Sequence, residues 1–515
     1  MSESSYSNKR LAKNTLFLYF RMLFVMAIGL YTSRVVLRTL GVEDFGIYNV
    51  VGSFVSMFSL ISGALTAAVS RFLNIEMGRK DSTKLKDVFS TAINIHIILA
   101  VIILLVAEMI GPWFIRTQMT ISLDKIDSAI YVFHFSLLTF LVNLISIPYN
   151  ACIIAHEDMK IFAYISFVEV SLKLLIVYLL LLFSYDKLVL YGFFMLCTSL
   201  IIRCIYQIYC RRHYAESSFR FYMDKQIFRE MFGFTSWNII GSTSVILSNQ
   251  GVNILLNVFG SPVVNAARGI AVQIEATINS FVQNFMTAMN PQITKSYGAG
   301  DLETYSKLMM YGGRFSVGLL TLLSLPFLVE THYILELWLG EVPEYTVNFA
   351  RLILIFAISE AMSYTFTTGL LATDKIKKLQ ILVGGCRMMN LPISYVLLKL
   401  GMEPEITMVV AIVLSQVNLL LRLTLLKQYI QLSIKRFYRI IVLKQVISIL
   451  LPLAIGIYLT KLLPMGLFRL AIMVFILIIT ELCCLLFINC NQRERFYIVD
   501  KLFMMIKKYD YKKHR

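Results

Sequence analysis

The sequence predicts an all-α polytopic membrane protein of about fourteen transmembrane helices, with two six-helix lobes followed by two extra C-terminal helices. Three observations carry this expectation. Of the 515 residues, 58% are hydrophobic and only 15% charged, and the mean hydropathy of +0.72 lies outside the soluble class. Apolar stretches of bilayer-crossing length recur along the whole chain with short polar connections, which leaves almost nothing for a soluble domain. The formal charge of +17 is unevenly placed. Basic residues collect in alternate loops, at Lys9, Arg10 and Lys13, at Arg79, Lys80, Lys84 and Lys86, at Arg211, Arg212 and Arg220, at Lys375, Lys377 and Lys378, and in the tail 493–515, whereas the loop 330–344 is acidic. This positive-inside pattern predicts an even number of spans with both termini cytoplasmic. It marks topology and anionic lipid headgroups and excludes a nucleic-acid role.

The elements follow in order. The head MSESSYSNKRLAKN is polar and basic, and the apolar run after it has no small-residue cleavage site, so a retained first helix is expected rather than a signal peptide. Spans are expected at 15–40, 46–70, 90–114, 128–153, 161–184, 187–210, 234–259, 266–290, 311–331, 347–371, 379–399, 406–427, 441–462 and 466–489. The first carries Arg21, Arg34 and Arg38, and the second Asn49, Ser53, Ser56, Ser59, Thr66 and Ser70. Glu169 and Lys173 in the fifth are i, i+4 neighbours and read as an ion pair. Segment 211–233 alternates aromatic and aliphatic residues with bases and reads as an amphipathic helix on the inner membrane surface. Segment 428–440 looks similar. The expected organisation is therefore a lobe at 1–210, a linker at 211–233, a lobe at 234–427, a linker at 428–440, helices thirteen and fourteen within 441–489, and a basic cytoplasmic tail at 490–515.

The seventh and eighth spans carry more polar groups than a lipid-facing helix tolerates. Asn249, Asn253 and Asn257 fall at i, i+4 and i+8 of one face, and Arg268, Glu275, Asn279, Gln283, Thr287 and Asn290 follow at one- or two-turn spacing on another. Such a stripe costs a few kcal/mol per uncompensated group at bilayer depth, so it should face other helices or water. Interhelical amide bonds are one reading. An aqueous path lined by both helices accounts better for so many polar residues over several turns.

The halves also repeat. Leu40-Gly41 answers Phe259-Gly260, Gly78-Arg79-Lys80-Asp81 answers Gly298-Ala299-Gly300-Asp301, and IIAHEDMKIFAYIS (153–166) answers LLATDKIKKLQILV (370–383). One offset of about 220 residues relates all three, which implies six spans per half in the same orientation, related by a pseudo-two-fold along the membrane normal.

LGVEDFGIYNVVGSFVSMFSLISGALTAAVSRFLNIEMGRKDSTK, the exit PYNACIIAHEDMKIFAYIS and the polar stripe of span eight together resemble the O-antigen and capsular polysaccharide flippases of the multidrug/oligosaccharidyl-lipid/polysaccharide exporter superfamily. The likeness covers nearly the whole chain in order. It implies transport of an undecaprenyl-diphosphate-linked oligosaccharide across a bacterial inner membrane by alternating access, with membrane lipids and other polysaccharide assembly proteins as partners.

A diphosphate in scarce water calls for arginine, which keeps its charge there and offers a planar fork of donors. The candidates are Arg21 and Arg34 on span one, Arg268 on span eight, Arg351 on span ten and Arg387 on span eleven. Arg34 and Arg268 lie near span ends, where snorkelling to the interface is an equally open reading. Arg21, two turns in, is the leading candidate. Glu275 and Glu360 are candidates for coupling to an ion gradient, against a purely structural pairing.

Two relatives on this scaffold stay open, a drug or organic-cation antiporter and a peptidoglycan precursor flippase. The excess of arginine over carboxylate favours an anionic passenger. An enzyme is not expected, because the longest loops are only about twenty residues. Eight cysteines are scattered without metal-ligand spacing, and His96, His134 and His156 have no partners at such spacing, so neither a metal nor a cofactor is expected.

Overall fold

The computed structural model describes residues 2–56, 58–118, 122–183, 185–218, 220–259, 262–373, 375–427, 437–438, 442–490, 492 and 494–496. The side chains of some residues inside these helices, Arg34, Asn49, Ser53, Ser56 and Asn257 among them, lie outside the described set, as does nearly all of 428–440. Among the described residues the secondary structure is helical and contains no strand. Eleven of these helices are long and apolar enough to cross a membrane by length and composition.

The order is α1 (Ser2–Ser56), α2 (Ser59–Arg79), α3 (Ser82–Gln118), α4 (Ile126–Ala155), α5 (Met159–Leu182), α6 (Lys187–His213), α7 (Lys225–Phe259), α8 (Pro262–Gly298), α9 (Leu302–Val329) and α10 (Thr331–Leu339). It continues with α11 (Thr346–Ala361), α12 (Tyr364–Ala372), α13 (Ile376–Leu379), α14 (Gly385–Met388), α15 (Asn390–Lys399), α16 (Ile406–Leu426), α17 (Leu443–Leu462) and α18 (Leu467–Cys484). At 37 residues α8 is long enough to span, but Arg268, Gln273, Glu275, Asn279, Gln283 and Asn284 interrupt its apolar run.

Local sequence explains the breaks. α1 runs through the expected gap between the first two spans, and its direction changes at Gly41, whose φ of 83° is the left-handed conformation glycine adopts without a Cβ penalty. Two short helices, α11 and α12, replace the expected tenth span, parted by a turn at Met362 and Ser363. The expected eleventh span contains a π-helical segment, Gln380–Gly384, at the Gly384-Gly385 pair. The linker 211–233 departs from expectation. Instead of one surface helix, it has a 3-10 turn at Ala215–Ser217 and non-helical chain up to Asp224, and α7 then runs unbroken from Lys225. The non-helical stretch is held by specific bonds, since Asn94 Nδ2 donates to the Tyr222 carbonyl at 2.9 Å and the Asp224 amide donates to Thr91 Oγ1 at 3.2 Å.

The chain divides into two compact units. The first comprises Met1–Thr243, Thr287–Tyr305 and Leu371–Gln380, and the second Ser244–Met286, Ser306–Leu370 and Ile381–Arg515. The first is built on a buried cluster that includes Leu73, Phe89, Phe133, Leu137 and Tyr149, with Phe89 and Tyr149 edge to face at 5.2 Å. In the same unit α2 meets the end of α8 glycine to glycine. A Cβ on Gly78 would lie 2.2 Å from the Lys295 carbonyl oxygen, and one on Gly298 would lie 2.4 Å from that of Ile75. Each glycine thus packs on the backbone three residues before the other, and both begin the repeated Gly-x-x-Asp motif. The second unit has its own cluster around Leu256, Ala271, Leu335, Phe349 and Leu354. Its last two helices are held by polar bonds: Arg469 Nη2 to Glu330 Oε2 at 2.7 Å, Gln445 Nε2 to Thr321 Oγ1 at 3.3 Å, and Asn489 Nδ2 to Gln445 Oε1 at 2.9 Å.

Candidate functional site

The second unit contains a cavity of about 1040 Å³ lined from α7, α8, α11, α12, α16 and the stretch 387–390. This is the upper end of the roughly 300–1,000 Å³ typical of small-molecule pockets.

Helical periodicity builds one wall. Arg268, Glu275, Asn279 and Gln283 recur along one face of α8 and all line the cavity, as do Asn249 and Asn253 of α7. Arg268 is 7% exposed. Its Nη1 donates to Asn253 Oδ1, and Asn253 Nδ2 donates in turn to Gln250 Oε1 at 3.0 Å. These partners are neutral, so the guanidinium charge is positioned without being cancelled, and its Nε has no acceptor among the described residues. Along the same face Asn279 Nδ2 donates to Glu275 Oε1 at 3.0 Å, and Tyr364 Oη donates to Asn279 Oδ1 at 3.1 Å.

The opposite wall holds a charge cluster. Glu360 lies one residue before the end of α11, where its carbonyl accepts the Ser363 amide at 2.8 Å and closes the turn into α12. Arg387 Nη2 donates to Glu360 Oε2, and Arg422 Nη1 of α16 stands 3.9 Å from Glu360 Oε1. Arg387 comes from the short helix just after the π-helical segment, and Ser248 Oγ of α7 donates to its backbone carbonyl at 3.2 Å. Arg422 is 5% exposed, with Nε lacking an acceptor among the described residues. One carboxylate therefore serves two guanidiniums. Two arginines, Arg268 and Arg387, and two carboxylates, Glu275 and Glu360, line the cavity, and Arg268 keeps a buried donor for an anion.

The expected residues divide accordingly. Arg268, Arg387, Asn249, Asn253, Asn279, Gln283, Glu275 and Glu360 come together at the cavity. Arg351 does not, because its Nε donates to Thr331 Oγ1 at 3.1 Å beside the start of α10. Asn290 lies on the part of α8 that belongs to the first unit, its carbonyl accepting from Thr294 Oγ1 at 3.1 Å. The side chains of Arg34 and Asn257 fall outside the described residues. Arg21 also belongs to the first unit, where its Nε donates to Ser166 Oγ at 2.7 Å and its guanidinium sits over the Phe162 ring at 4.4 Å. Lys173 and Glu169 form their pair at 2.6 Å.

Sequence reasoning missed Arg422, Tyr364, Ser415 and Asn418. A signal was present, since Ser415, Asn418 and Arg422 recur at three- and four-residue spacing in span twelve. It also left two histidines without partners that the fold supplies: His134 Nδ1 meets Glu108 Oε1 at 2.9 Å, and His156 Nε2 meets Glu216 Oε1 at 2.5 Å.

A family described as polysaccharide biosynthesis protein matches residues 11–297. No curated protein matches the sequence. Among solved structures, a point mutant of a MATE protein is similar over 81% of this chain and 97% of its own, at a TM-score of 0.70 and 12% identity. A mutant of the Vibrio cholerae MATE transporter VcmN is similar over 83% of this chain and 99% of its own, at 0.69 and 16%. A MOP superfamily transporter from Pyrococcus furiosus, whose reversed pocket polarity suggests a different function, is similar over 81% and 96%, at 0.67 and 12%. At these identities the likeness is one of fold.

Proposed function

The chain belongs to the polysaccharide biosynthesis protein family, a multi-pass membrane protein with the fold of MATE and MOP superfamily transporters, and we propose that it flips a polyprenyl-diphosphate-linked oligosaccharide across a bacterial inner membrane. The reading has it working by alternating access between lobes at 1–210 and 234–427, with both termini cytoplasmic. The observation that carries it is the buried guanidinium of Arg268, which lines the cavity together with Arg387 and is held by the neutral Asn253 rather than by a carboxylate. A diphosphate is a headgroup that such fixed forks would select. The amides of Asn249, Asn253 and Gln283 supply neutral donors and acceptors suited to sugar hydroxyls. Arg21 and Arg34 are held as further headgroup contacts of the same reading. Of the two cavity acids Glu360 is already claimed by two arginines, which leaves Glu275 alone to meet a cationic drug.

Energy coupling is assigned to Glu275. Its hydrogen-bond partner Asn279 is neutral, so a proton or cation bound there does not have to break an ion pair. Glu275→Gln is expected to leave the protein folded and to abolish the dependence of transport on the ion gradient. Transport by that variant that still follows the gradient removes the assignment.

The deciding experiment measures lipid-linked oligosaccharide and surface polysaccharide in a strain deleted for this chain. Accumulation of the lipid-linked form, rescued by wild type but not by Arg268→Ala or Arg387→Ala, supports the reading. No accumulation rejects the substrate class, and rescue by the double variant rejects the cavity as its binding site.

A further inference from the structure

Cys152, His156 and Glu216 belong to the first unit and take no part in the cavity. Cys152 and His156 are one helical turn apart at the end of α4, and Glu216 lies on the 3-10 turn that follows α6. One sulfur, one imidazole nitrogen and one carboxylate oxygen lie within 4.8 Å of one another. Cys152 Sγ is 3.6 Å and His156 Nε2 2.5 Å from the same Glu216 Oε1. We propose that these three side chains form a structural zinc site, with the Cys152 thiolate, His156 Nε2 and a Glu216 oxygen as ligands.

The donor set is the first argument, because zinc takes thiolate, imidazole and carboxylate together and asks only for tetrahedral placement. Preorganisation is the second. The His156 ring stacks on Tyr214 at 3.9 Å and 5°, and Asp158 accepts from Tyr209 Oη at 2.7 Å and Tyr214 Oη at 3.5 Å, so the imidazole is held by an outer layer that is itself bonded. Access is the third. Cys152 and Glu216 are buried, while the His156 side chain is 33% exposed and gives an ion a way in. Cys210, whose Sγ donates to the Tyr149 carbonyl at 3.5 Å and which hydrogen-bonds the Cys152 thiol, is the nearest further donor for the fourth position. Such a site would tie the ends of α4 and α6 to the first residues of the linker.

The test uses the full-length protein, purified in detergent without chelators. Elemental analysis is expected to find close to one zinc per chain, and cobalt(II) in its place should give a thiolate charge-transfer band. Cys152→Ser and His156→Ala should each lower metal affinity at least about tenfold and Cys152→Ser should erase the band, while Cys483→Ser, at an exposed thiol outside the cluster, should change neither. Monodisperse wild type that holds no zinc and shows no cobalt band overturns the site, and this measurement requires no variant to fold. Metal retained equally by Cys152→Ser overturns it as well. Neither result bears on the transport reading, which is tested by glycan rescue.

Discussion

Arg387 illustrates what a single residue does in this protein. It shares Glu360 with Arg422, so removing the carboxylate leaves two guanidiniums without compensation. Truncating one partner of a buried ionic cluster costs roughly 3–5 kcal/mol, whereas replacing all its members by apolar residues of similar volume is often neutral. Glu360→Ala should therefore lower the melting temperature in detergent, and Glu360→Met combined with Arg387→Met and Arg422→Met should recover much of the loss. Both variants should fail to rescue glycan export. A triple variant as unstable as the single one would show that the cluster is held by something other than its charges. Arg268 behaves differently because its partner Asn253 is neutral. Asn253→Leu should leave the fold standing and reduce transport by loosening the guanidinium, a loss read in the same rescue assay.

Among the elements, the crossing of α2 and α8 has the least room. At Gly78 and Gly298 an added Cβ meets backbone rather than a movable side chain, so the helices have to separate. Small residues permit such close backbone contact between membrane helices, where apolar burial supplies little net attraction. Gly78→Val and Gly298→Val should each reduce the yield of monodisperse protein and lower its melting temperature. Gly233→Ala, with nothing within 4 Å of the added atom, should change neither. Equal tolerance at all three positions would contradict the tight crossing.

For the whole molecule, α17 and α18 show how far later helices have become part of the second unit. Arg469 reaches the 3%-exposed Glu330, and Arg314 Nη2 meets Glu494 Oε2 at 3.2 Å. Truncation after residue 440 should strand Glu330 and destabilise the protein, and Glu330→Gln in the truncated chain should restore part of the loss, as judged by thermal denaturation in detergent. Truncation without a thermal cost would make the pair an independent appendage. The helical class, the multi-pass character and the polar faces of α7 and α8 were legible in the sequence, because bilayer length and helical period are local properties of the chain. The end of the first span at residue 40 falls at the bend at Gly41, but the turn after Glu360 and the π-helical segment before Arg387 were not legible at the level of span boundaries. Which arginines share a cavity was decided only by the fold. Arg268 and Arg387 come together while Arg351, equally basic and just as close to a span end, turns to Thr331. Cys152 and Glu216 likewise meet although 64 residues part them. Charge and period say which side chains must avoid lipid, but the partner each one finds depends on how distant helices cross, and that geometry is set by packing over the whole chain.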